Sequence, residues 1–213
     1  MASPHLQNHL VWGAYSPLSS LSGGALIILA SGRTAFAVVE FGALLWVFGA
    51  SALIFALAQP VSPTKERELV FTSLCSVLGS LYLLLLFLAC PVLALEARFF
   101  IMLTPVYAIC SRFPSRIEDL VLQDGLIRAF SEALFMGSLI LAGALIREPL
   151  GYGTLSIPGG QRGITELFQV GQGYFFPVRI FAVSAGVFFI LGYGVAVYRY
   201  FRNKNMPIGE NDE

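Results

Sequence analysis

Leu81-Tyr-Leu-Leu-Leu-Leu-Phe-Leu88 is the stretch on which the fold turns, and it sits inside Leu69 to Leu95, a run without a single charged residue. One crossing of a hydrocarbon layer about 30 Å thick takes roughly 20 apolar residues at 1.5 Å rise, and the helix must satisfy its own backbone groups because lipid offers none. Leu69 to Leu95 meets both demands, so it reads as a membrane-spanning helix. The rest of the 213-residue chain agrees: it is 56% hydrophobic and only 12% charged, where soluble domains average about 25%. Mean hydropathy is +0.75. Thirteen Lys and Arg cancel 13 Asp and Glu, which leaves no positive field to hold nucleic acid.

Outward from this block the other hydrophobic segments can be counted. Leu10 to Gly32 is uncharged but interrupted by Gly13, Pro17, Gly23 and Gly24, and Thr34 to Ala58 is continuous except for Glu40. Arg33 marks a short turn between them, and the polar run Gln59 to Glu68 separates the second from the third. Phe99 to Ser111 is too short to cross alone and contains Pro105, so it reads as a half-helix or re-entrant piece. Gly125 to Ile146 spans if Arg128 and Glu132, four apart on one face, lie at its interfacial end. Arg179 precedes a last clean span, Ile180 to Tyr198, and a polar tail occupies 199–213.

The expected fold is therefore all-α: one polytopic membrane domain over 1–213 with segments at about 10–32, 34–58, 69–95, 99–111, 125–146 and 180–198. The first and fourth segments are irregular and occupy equivalent places in two halves of three. That is the pattern of a three-plus-three inverted repeat whose broken helices meet near the midplane; alternatively Pro17 and Pro105 merely kink two spans. Six crossings put both termini on one side. Arg199, Arg202 and Lys204 assign that side to the cytoplasm, with Lys65, Arg67, Arg112, Arg116 and Arg128 inside and Arg33, Arg98, Arg147, Arg162 and Arg179 outside. Met1 to His9 has no basic n-region, so no removable signal peptide is expected.

Few residues carry chemistry. Cys75, Cys90 and Cys110 show no CxxC and no zinc-site spacing. Cys75 and Cys90 read as small packing residues, while Cys110, ending the short fourth segment, is the one thiol that a broken helix would bring toward the midplane. Glu40 is expensive in hydrocarbon unless it faces protein or water. Either it binds a coupling ion or relays protons, or it reaches the headgroups from near the helix end. The pair Arg147-Glu148 is expected to cap and orient a helix end. His5 and His9 have no further ligand nearby, and no GxGxxG, P-loop, GxSxG or HExxH occurs.

Ile146-Arg-Glu-Pro-Leu-Gly-Tyr-Gly-Thr-Leu155 resembles the RE-x-x-G-x-GTL motif of the RnfE/NqrD family, subunits of ion-translocating Rnf- and Nqr-type membrane oxidoreductases. Ser16-Pro17, then Gly24, then Arg33-Thr-Ala-Phe36 is similar to that family's Asn-Pro, Leu-Gly-x-Cys and Thr-Ala-Phe sequence. Pro105 with Arg116-Ile-Glu118 resembles the residues flanking its second half-helix, and Pro177 and the basic tail also have counterparts. The resemblance implies six hydrophobic segments and an inner-membrane location. It implies a homologous inverted partner (RnfA or NqrE), further flavin-bearing subunits, and electron transfer linked to Na+ or H+ translocation. It also implies an intramembrane iron-sulfur cluster to which each partner gives two cysteines from its half-helices. This chain would then be an electron-relay or non-catalytic subunit. It departs from the family at the ligands: aligned on Gly24 the first position is Leu26, which cannot coordinate iron, and the second is Ser111, with Cys110 one residue early. Either the cluster has been lost or the partner supplies more ligands. The alternatives from other classes are a small-solute or ion transporter on the same scaffold, and a structural membrane subunit without a redox centre.

Overall fold

The computed structural model describes residues 32–58, 67–111, 122–160 and 163–169, together with the single positions Ile28, Phe113, Ile117, Gly186, Phe189, Gly192, Tyr193 and Ala196. The expected segments 10–32 and 180–198, the tail, Gly24 and Leu26 lie outside the described residues, apart from those single positions and Gly32. Among the described residues four helices are each long and apolar enough to cross a membrane: α1 (Thr34–Ala58), α2 (Arg67–Ala89), α3 (Pro91–Cys110) and α4 (Leu122–Tyr152). The chain is a membrane-embedded protein.

α1 is the hub, packing on α2, α3, α4 and the strand that follows α4. It runs antiparallel to α4, with Gly137 against the Phe41 ring and Gly49 against Phe130. Along α4, Gly125, Ala129, Ala133 and Gly137 recur every fourth residue on the buried face. Without a hydrophobic drive between helices in lipid, such small residues let backbones approach closely enough for dispersion to hold them. At Gly137 any side chain would meet the Phe41 ring.

α2 and α3 form a tight helical hairpin. Cys90 leaves the helical region (φ −143, ψ 75) and Pro91 opens α3 at a position where its missing N–H costs nothing. The third segment therefore stops at Ala89 rather than Leu95, and the expected half-helix 99–111 is the C-terminal part of a 20-residue helix, about 30 Å long. Glu96 and Arg98, which fall between the expected third and fourth segments, sit exposed on α3. Pro105 is accommodated because its ring lies against Gly79 of α2. At the far end of the bundle Phe48, Phe55, Phe71, Tyr107 and Phe113 stack with centroids 4.6–5.7 Å apart.

The segment after α4 also differs from expectation. Thr154 to Gln169 is not a plain loop but an antiparallel hairpin, β1 (Thr154–Pro158) with β2 (Ile164–Gln169), so the chain is not purely α-helical. Gly160 and Gly163 take positive φ (64 and 81) to close the turn, and the Gly159 N–H donates to the Gly163 carbonyl at 2.7 Å. Gly163 lies against Val92, which places the hairpin beside the start of α3 and over the start of α1.

Candidate functional site

Among the described residues, two polar centres in the apolar interior each contain a glutamate with 0% exposure. The first lies at the N-terminus of α1, where a helix leaves its leading N–H groups without partners. Glu148, carried by the last turns of α4, answers that need: its Oε2 accepts from the Thr34 N–H at 2.7 Å, across 114 residues of sequence. Its Oε1 receives a longer contact from the Thr154 hydroxyl at 3.4 Å, and the Ala35 N–H points to Ser156 Oγ at 3.4 Å. Arg147 is buried with its guanidinium against Gly32, and Arg33 lies 5.5 Å from the Tyr152 ring centroid. Arg147 and Glu148 thus sit at a helix end, and Glu148 caps a helix other than its own.

The second centre is Glu40, six residues or about 9 Å further along α1. Its Oε1 accepts from the Thr104 hydroxyl of α3 at 2.7 Å, and Oε2 has no hydrogen-bond partner among the described residues. The side chain does not reach toward the headgroups; it is enclosed by protein. Beside it the Tyr82 hydroxyl of α2 donates to the Val39 carbonyl at 3.0 Å, filling the space left by Gly42. On α4, Glu132 is buried and accepts a long contact from Tyr107 at 3.4 Å, so it faces the bundle.

The cysteines do not converge. Cys75 is buried in the apolar core, Cys90 forms the α2–α3 turn, and Cys110 is exposed at the end of α3. α3 is a 20-residue helix and Cys110 is its last residue. Ser111 is buried as the cap of α3 and its hydroxyl donates to the Ala108 carbonyl at 3.1 Å. An iron-sulfur centre wants thiolates brought to one point, and the described residues hold no group of three or more His, Cys, Asp or Glu placed to bind a metal. Among the described residues none fit a cluster, and no electron-transfer step is assigned to one there.

Sequence reading missed Thr104, Tyr82, Ser156 and Thr154 as partners. The signal for Thr104 was its hydroxyl beside Pro105 in an otherwise apolar stretch; Ser156 had none, since its role depends on the hairpin. No family model matches the chain, and no curated protein matches it.

Proposed function

We propose that the chain is an integral membrane subunit of an electron-transport complex that couples redox transfer to Na+ or H+ translocation. In this reading it supplies the scaffold and part of the ion path, and companion subunits carry the electrons. One observation carries the reading: the two pieces of sequence that most resemble the RnfE/NqrD subunits, Arg33-Thr-Ala-Phe36 and Arg147 to Leu155, meet in space through Glu148 and Thr34.

The proposal includes six segments in two inverted halves, placed in the cytoplasmic membrane with both termini inside. A two-fold axis in the membrane plane would relate α1 to α4, and these two are antiparallel and packed together. Its partner would be a homologous inverted membrane subunit. The test is gentle purification from native membranes through a tag on this chain. Co-purification of a homologous membrane subunit with flavin-bearing subunits is the expected result; recovery of the chain alone overturns it. A second reading, a small-ion or solute transporter, is favoured by the unpartnered Glu40 Oε2, and ion flux into vesicles containing this chain alone would establish it.

A further inference from the structure

Glu40 is enclosed on every side yet only half satisfied. The Thr104 hydroxyl pins Oε1, and nothing among the described residues meets Oε2. Native interiors rarely leave a buried polar atom bare, so such an atom calls for a proton, an ion or an ordered water. The surroundings restrict what that can be. No cation among the described residues pairs with Glu40: Arg147 lies by Gly32 at the start of α1, and Arg98 is exposed on α3. From α2 the facing titratable group is the Tyr82 phenol, committed to the Val39 carbonyl. From α3 it is met by the Thr104 hydroxyl, while Glu96 and Arg98 are exposed. On α4, Glu132 is met by Tyr107 and Glu148 by the α1 N-terminus.

A bare carboxylate in this setting costs several kcal/mol in lost hydration. A hard metal cation would offset that charge but takes about six oxygen ligands. Among the described residues the side-chain oxygens at this level are the two of Glu40, the Thr104 hydroxyl and the Tyr82 hydroxyl that is committed to Val39, too few for such a cage. A proton needs no such cage.

We propose that Glu40 is the proton-binding position of this protein's ion path, held as the neutral carboxylic acid with its proton on Oε2. Binding adds one proton to Oε2 and removes one negative charge; release reverses both. Thr104 is a positioning residue that fixes Oε1 in either state, so exchange takes place at Oε2 alone. The path's coupling role rests on the proposed function above, but the protonated carboxyl does not.

Infrared spectroscopy of the full chain in phospholipid vesicles at neutral pH tests this directly. A protonated carboxyl gives a C=O band above the amide region. The expected result is such a band that shifts down in D2O, disappears in Glu40→Gln, and is unchanged by added sodium. In Thr104→Val it persists but moves to higher frequency, because Oε1 has lost its donor. Identical spectra for wild type and Glu40→Gln overturn the proposal, and loss of the band on adding sodium overturns it in favour of a metal-ion site. Should Glu40→Gln fail to fold, an unshifted band in Thr104→Val does the same. Co-purification reports on the complex and the band on the carboxyl, so the failure of either reading is visible apart from the other.

Discussion

Glu148 and Glu40 are equally buried, and Thr34, which Glu148 caps, lies about 9 Å before Glu40 along α1, yet their surroundings are opposite in kind. Glu148 meets the open N-terminus of a 25-residue helix, where main-chain N–H groups and the positive end of the helix dipole stabilise a negative charge. Glu40 lies where the same helix has already consumed its own N–H groups, and a single hydroxyl reaches it. Two glutamates in one apolar bundle thus have different work available to them. The one at the helix end joins α4 and the hairpin to α1; the one inside the bundle has an oxygen left for a ligand.

That comparison predicts a large stability loss at one site and a small one at the other. Glu148→Ala should lower stability by about 3 kcal/mol, since it removes a charge-assisted cap and strands the buried Thr34 N–H. Glu148→Gln keeps an acceptor and should recover part of that loss. Melting in detergent measures both. If Glu148→Ala melts like wild type, the cap is not what holds the hairpin end together and the contrast with Glu40 collapses.

Thr104→Val should cost about 1 kcal/mol or less, because hydrogen bonds between membrane helices average near 0.6 kcal/mol. Glu40→Leu sharpens the contrast further: it removes the half-satisfied carboxyl, the Thr104 hydroxyl can turn to the Phe100 carbonyl one turn back on α3, and melting should change by about 1 kcal/mol or less. A drop as large as that for Glu148→Ala would mean that Glu40 is a structural keystone and not a site kept open for a ligand.

How much of this was legible in the sequence follows the same division. α1 coincides with the block Thr34 to Ala58 because charge and Pro punctuation mark both ends: Arg33 before it, Pro60 and Pro63 after it. The α2–α3 boundary was misplaced because the pattern there is hydrophobic on both sides of the turn. Only Pro91 marks it, and a proline inside an apolar run reads equally well as a kink. Glu40 was visible as a lone acid among apolar residues, whereas Thr104 could be assigned to it only once α3 was known to run parallel to α1. Glu148's partner was invisible for a stronger reason. A main-chain N–H belongs to every residue except proline, so nothing in the letters distinguishes the one at Thr34.

The smallest effect is expected at the cysteine that sequence reading singled out. Cys110 ends α3 on an exposed position, with no thiol or imidazole brought to it among the described residues, and Ser111 caps the helix through its own hydroxyl. Cys110→Ser should therefore change melting by no more than about 0.5 kcal/mol, as surface substitutions usually do. It should also leave the iron content of the purified complex unchanged. A cluster signal that vanished in this variant would put a ligand at the end of α3, and α3 would then have to end inside the membrane rather than at its face. The depth of Glu40 would move with it, since Thr104 fixes the two helices to one another at that level. A thiol with no expected role is thus the sharpest check on where the carboxyl lies.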